Sequence, residues 1–165
     1  MASAATVLQT KPKSEKIATG ISEKARAEVA AALQGALTTT YRLLVKTQIH
    51  HWNVVGPLFH PIHILTDEQY NNLFEAVDTI AERIRALGHV TKSPDLSPEK
   101  RQTVEMSAEE LIHDLVADHE AACREMREAA KKAEDAEDIV TNDLLVGRLT
   151  FHEKAIWMLR AIVAK

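Results

Sequence analysis

Five side chains between His50 and Gly88 have the types and spacing of a metal site. His51, His63, Asp67, Asp78 and Glu82 follow one another at separations of 12, 4, 11 and 4 residues. Two imidazoles and three carboxylates suit a divalent first-row metal, above all iron cycling between ferrous and ferric states. On an α-helix turning ~100° per residue, His63, Asp67, Asp78 and Glu82 fall in a fan roughly 100° wide. His63/Asp67 and Asp78/Glu82 are i,i+4 neighbours, so each pair can hold a single ion. The pairs stand apart along the axis, however. Asp67 to Asp78 is about 16 Å at ~1.5 Å per residue, whereas coordination bonds are about 2 Å long. One helix therefore cannot close both pairs on one metal. Two copies running antiparallel about a two-fold axis can, because they set Asp67 of one beside Asp78 of the other. Such isologous pairing makes two equivalent sites. Each would combine His51, His63 and Asp67 of one subunit with the acidic pair of its mate. Taken singly, the carboxylate pairs also read as solvated helix surface and the histidines as satisfied core residues.

The elements that must position these groups read as helices. Ser22 is a plausible N-cap for the first, with Glu23 favourable in its first turn. The rows Leu37, Leu44, His51 and Tyr41, Gln48, Val55 form one inward stripe, and Gly56-Pro57 ends the helix. A second helix begins around Phe59 to Pro61. It carries Tyr70, Leu73, Phe74, Val77, Ile80, Ile84 and Leu87 on its apolar side and closes at Gly88. The turn centres near Pro57, with His51 six residues before and His63 six after, so an antiparallel hairpin sets them at similar height. Ser107 and Glu110 match a capping box opening a third helix, whose buried side is Leu111, Leu115, Ala122, Met126 and Ala129. A fourth runs to about Val163, with Leu144, Leu145, Phe151, Ile156, Leu159 and Ile162. Residues 89–106 are long for a plain bundle connection, and Ser97-Pro98-Glu99 predicts a short helix inside it. The expected fold is all-α: an antiparallel four-helix bundle with a short extra helix between helices two and three. Residues 1–21 read as a flexible, mildly basic arm and 22–165 as the bundle domain.

Composition narrows the function classes. The net charge is −4, so attraction to DNA must come from a local basic segment. Cys123 is the only cysteine, which rules out an intrachain disulfide. No run approaches the roughly 18 apolar residues of a membrane span, and the N-terminus has no hydrophobic signal region. The expectation is a cytoplasmic protein with no membrane partner. Glu110-Leu-Ile-His113 has the Glu-x-x-His spacing of di-iron bundles, but it falls in a first helical turn and no second copy occurs on the fourth helix. A site inside one bundle, or an oxygenase acting on an organic substrate, is disfavoured.

The segment His51-Trp-Asn-Val-Val-Gly-Pro-Leu-Phe59, followed by His63, Asp67 and Asp78-Thr-Ile-Ala-Glu82-Arg83, closely resembles the Dps proteins. These are the mini-ferritins, or DNA-binding proteins from starved cells, of the ferritin-like superfamily. The resemblance implies a hollow homododecamer built from two-fold dimers, with ferroxidase sites at the dimer interfaces. It implies that His51, His63, Asp67, Asp78 and Glu82 are the iron ligands. The protein would oxidise Fe(II), preferably with hydrogen peroxide, store ferric mineral and protect DNA. Trp52 is expected to pack near the site, with electron donation as its second role. His50, turned ~100° from His51, is expected to be a surface histidine or a transient iron position. Gln48 stands where many members have lysine. An acidic iron pore near the start of the last helix would draw on Asp143, with Asp135 and Asp138 as weaker candidates. Lys11, Lys13 and Lys16 would contact DNA non-specifically, many weak phosphate contacts adding through avidity. The chain stops at Ala164-Lys165, so no second arm is expected. The alternative is a DNA-compacting, nucleoid-associated protein with little ferroxidase activity.

Overall fold

Ser22 starts the bundle as expected: its hydroxyl oxygen accepts from the Ala25 N–H at 3.2 Å, satisfying an orphan donor of the first turn. The computed structural model describes residues 10–96 and 105–164. Among these residues are four helices and no strand: α1 (Glu23–Asn53), α2 (Phe59–Ala86), α3 (Ala108–Asp135) and α4 (Ile139–Ile162). The capping box opens α3, with the Ser107 oxygen accepting from the Glu110 N–H and the Glu110 carboxylate accepting from the Ser107 N–H. The expected helix at Ser97-Pro98-Glu99 lies outside the described residues.

α1 and α2 form one hairpin and α3 and α4 the other; α1 lies against α3, and α2 more loosely against α4. The long connection has a physical reason. It runs beside α1, where Gln34 exchanges two hydrogen bonds with the Lys92 backbone (2.9 and 3.1 Å) and Arg42 donates to the Asp95 carbonyl. It therefore climbs back along the bundle before α3 begins, which leaves α2 and α3 parallel. At the far end, Gly88 has φ +86, and a Cβ there would lie 2.5 Å from the Glu15 carbonyl oxygen. Glu15 N–H donates to the Gly88 carbonyl at 2.8 Å, and Arg85 pairs with the Glu15 carboxylate at 3.2 Å. Residues 15–17 are thus laid against the end of α2. No helix is long and apolar enough to cross a membrane, among the described residues.

Leu33, Leu37 and Leu43 of α1, Ile62, Leu73, Ile80 and Ile84 of α2, and Leu111, Ile112, Leu115 and Met126 of α3 fill the core, with Leu145 and Leu159 from α4. Two expectations fail. Phe74 is 68 % exposed and Val55 74 % exposed. Phe74 shares the outward fan of Asp67 and Asp78 rather than the face of Leu73 and Val77. Val55 lies beyond the end of α1, where helical periodicity no longer applies.

Between α3 and α4 the chain turns through Glu137 at φ +55 into Asp138, the N-cap of α4. Asp138 is 1 % exposed. Its carboxylate accepts from the Thr141 N–H (3.0 Å), the Thr141 hydroxyl (2.5 Å) and Arg83 (2.6 Å). Burial alone would raise its pKa, but the Thr141 donors and Arg83 outweigh it and hold the carboxyl below its ordinary 3.8. Replacing Asp138 by Ala should destabilise the fold by about 2–4 kcal/mol, a lost cap plus an unbalanced Arg83, read as a lower urea midpoint. A depressed folded pKa stabilises fully above the unfolded value and less as pH falls through the folded one. The wild-type advantage over Asp138→Ala should therefore be present at about pH 7 and shrink towards about pH 3.

Candidate metal centre

His51 closes the inward stripe of α1, and His63 lies in the first turns of α2. The hairpin brings them level, as their spacing about Pro57 requires. Their rings stack with centroids 3.8 Å apart and planes 16° from parallel. His51 Nδ1 is 2.9 Å from the His63 carbonyl oxygen, and His63 Nδ1 is 3.0 Å from the His51 carbonyl oxygen. A carbonyl oxygen only accepts, so both Nδ1 atoms carry protons and donate. In the neutral ring each Nε2 then keeps its lone pair. This is the tautomer a metal-ligating imidazole needs, set by a hydrogen bond at the other nitrogen. Thr66, whose hydroxyl donates to the Ile62 carbonyl at 2.7 Å, places its oxygen 3.2 Å from His51 Nδ1. The Phe59 ring stacks on His63 at 4.9 Å.

One turn along α2, Asp67 is held in place. The Tyr70 hydroxyl donates to Asp67 Oδ1 at 2.5 Å, and Asn71 donates to Oδ2 at 3.3 Å and to the Asp67 carbonyl at 2.9 Å. The accepting carboxylate raises the Tyr70 pKa above its ordinary value. The Tyr70 ring also meets the His51 ring edge-on, 5.2 Å between centroids. Tyr70 was assigned above only to the apolar side of α2. Its i+3 spacing from Asp67 was the available signal for this second role.

Asp78 and Glu82 are exposed, and neither forms a hydrogen bond or ion pair among the described residues. Nor does any group of three His, Cys, Asp or Glu side chains gather closely enough to hold a metal there. One chain therefore brings His51 and His63 together and sets Asp67 a turn away. It leaves the acidic pair further down the same helix.

The ferritin family pattern, described as a ferritin-like domain, matches residues 30–165. A DNA protection during starvation protein of Mycolicibacterium smegmatis is 35 % identical over 157 residues, covering 86 % of this chain and 80 % of its own length. The chain belongs to the Dps family of ferritin-like proteins. An uncharacterised low temperature-induced protein of a Nostoc species is 36 % identical over 155 residues, 90 % of this chain and 87 % of its own. A Dps structure from Mycobacterium smegmatis superposes with a TM-score of 0.85 at 28 % identity, covering 92 % of this chain and 96 % of that one.

Among the other positions that the Dps resemblance singled out, His50, Trp52 and Asp138 lie differently from expectation. His50 is not a surface residue. It is 2 % exposed, and its Nε2 lies 2.8 Å from Asp114 of α3. The carboxylate can only accept, so Nε2 carries the proton. The His50 N–H, joined by the Lys46 ammonium and opposed by burial, lowers the Asp114 pKa. Lys46 also meets Asp118 at 2.6 Å, so a polar clasp ties α1 to α3 beside the histidine pair. Trp52 is 67 % exposed and packs into no core of the single chain. Gln48 is half-buried. Asp138 is consumed as the α4 cap, whereas Asp135 and Asp143 are exposed. Lys11, Lys13 and Lys16 are all exposed, Lys11 and Lys13 before the Glu15 anchor and Lys16 just after it.

His50→Ala should cost about 1.5–3 kcal/mol, as expected for a buried hydrogen bond to a charged partner. A fall in denaturant midpoint with metal affinity at the His51/His63 pair intact is the expected result. A selective loss of metal binding at full stability would make His50 a ligand.

Proposed function

We propose that the chain is a Dps-type ferroxidase and iron-storage protein that protects DNA, each of its centres being shared by two subunits across a two-fold axis. The observation that carries this reading is the division of the donor set. Two imidazoles present Nε2 beside a braced Asp67, while Asp78 and Glu82 stand exposed and unpartnered among the described residues on the same helix, about 16 and about 22 Å from Asp67 along its axis. Phe74 supports the pairing. It lies close to the midpoint between Asp67 and Asp78, where the axis would pass, and offers a large apolar ring to a second copy.

In this reading ferrous iron is the substrate. His51 and His63 supply neutral nitrogens, Asp67 supplies an oxygen oriented by Tyr70, and Asp78 and Glu82 of the mate complete the shell. The hard carboxylate oxygens favour the ferric product over the ferrous substrate. One hydrogen peroxide takes one electron from each of two ferrous ions and yields two ferric ions and two hydroxides, so no hydroxyl radical is released. Twelve copies forming a hollow cage would hold the mineral, with Asp135 and Asp143 at acidic pores admitting iron. Such a protein would work in the cytoplasm, associated with the nucleoid where its arms hold DNA.

Asp78→Ala combined with Glu82→Ala should abolish rapid peroxide-driven oxidation of Fe(II) while the cage still assembles. Co-assembly of that variant with a His51→Ala/His63→Ala chain then tests the sharing. Random pairing rebuilds about a quarter of the sites, because half of the dimers are mixed and each mixed dimer has one intact site. Zero recovery in mixed cages would place the whole centre within one subunit.

The exposed lysines favour non-specific DNA retention as an accompanying property, or, with little ferroxidase activity, as the main one. Deleting residues 1–13, which spares the Glu15 anchor, should abolish salt-sensitive DNA retardation and leave iron oxidation unchanged. Retention of the gel shift would exclude Lys11 and Lys13 as the contacts.

A further inference from the structure

α2 and α4 approach less closely than the other neighbouring helices, and long polar side chains bridge the gap. Arg83 reaches Asp138 and Thr141 at one end, and Arg148 reaches Asn72 at mid-height. One turn further along both helices, Gln69 and His152 come to the same level. There His152 meets His119 of α3, with the two Nδ1 atoms 2.9 Å apart. Gln69 is 3 % exposed, and both histidines are fully buried.

Buried polar groups are nearly always partnered. Here both ends of the Gln69 amide, Nε2 of both histidines, and Nε and Nη2 of Arg148 are buried without a partner. Arg148 spends only Nη1, donating to Asn72 Oδ1 at 2.6 Å, and its guanidinium carbon lies 4.5 Å from the centre of the Phe151 ring. The remaining Nε–Nη2 edge is the planar fork that grips an anion side-on. Burial lowers the Arg148 pKa to about 10, which leaves it ionised at neutral pH. Burial, assisted by the Arg148 charge, lowers His119 to about 4, and burial, assisted by His119 and then Arg148, lowers His152 to about 2, so both rings are neutral. In their N–H···N contact, one ring accepts at Nδ1 and therefore carries its own proton on Nε2.

We propose that this mid-bundle layer is a binding site for a small inorganic monoanion of the chloride type, seated on the Arg148 Nε–Nη2 fork between α2 and α4. The Nε2–H of one histidine and the Gln69 amide N–H, about one turn further along, are the other unpartnered buried donors of this layer. A cation is unsuited, because no carboxylate pairs with Arg148 among the described residues and a guanidinium repels it. One guanidinium balances one negative charge, which disfavours phosphate and sulfate. Water would satisfy the hydrogen bonds but leave a buried positive charge uncompensated. The site is independent of the iron centre and does not rest on the ferroxidase reading.

Crystals of the assembled protein soaked in sodium bromide test the site through bromine anomalous scattering. The expected result is a peak inside each bundle against Arg148 Nε and Nη2, lost in Arg148→Met. Replacing chloride by gluconate at constant ionic strength should also lower the melting temperature of the wild type by several degrees and leave Arg148→Met unmoved. Bromine peaks confined to the surface, or the same anion response in both proteins, would overturn the proposal. Should Arg148→Met fail to assemble, the wild-type soak decides by itself.

Discussion

Two imidazoles, each giving its Nδ1 proton to the other's backbone carbonyl, lock the turn between α1 and α2 and decide what that end of the bundle can do. The cross-brace ties residues that the turn separates, fixes both rings in one tautomer and aims both lone pairs away from the backbone. Helix ends leave carbonyls without intrahelical partners, and the His51 carbonyl in the last turn of α1 is satisfied by the very side chain that its own imidazole faces. The brace occupies both Nδ1 atoms and both carbonyls and leaves the Nε2 atoms outside it. Loss of either ring removes a donor from the other residue's carbonyl, while the remaining ring still gives its Nδ1 proton to the backbone across the turn.

Around this brace the bundle places its polar groups by helix geometry. α1 is drawn to α3 by the His50–Asp114 contact and the Lys46 bridge to Asp114 and Asp118, which hold the end of α1 against a neighbour distant in sequence. α2 meets α4 through arginines. Arg83 finds a carboxylate at Asp138, while Arg148 finds only an amide oxygen and an aromatic face. The contrast between these two half-buried arginines is electrostatic: Arg83 is balanced by a carboxylate and Arg148, among the described residues, is not.

The outward face of α2 follows a different constraint. His63, Asp67, Phe74, Asp78 and Glu82 share one stripe, and the far part of it, from Phe74 to Glu82, is exposed. An apolar ring between two acidic positions on a solvent-facing stripe is poorly explained by a solitary subunit, since it adds exposed apolar surface and no packing. The ferritin-like domain match, running from residue 30 to 165, takes in this whole stripe.

Local chemistry was legible in the residues alone. The caps at Ser22 and Ser107, the break at Gly88 and the side-chain types and spacings of His51, His63, Asp67, Asp78 and Glu82 depend on neighbours within a few turns, so the order of residues determined them. The levelling of the two histidines followed from symmetry about one turn. Other features waited on the tertiary structure: the burial of His50, the exposure of Trp52 and Phe74, and the capture of Asp138 by Arg83. His50 and Asp114 are 64 residues apart, and Arg83 and Asp138 are 55 apart. Periodicity says which residues share a face. Only the packing of the helices says what that face meets, because it brings together groups whose separation along the chain carries no trace of their contact.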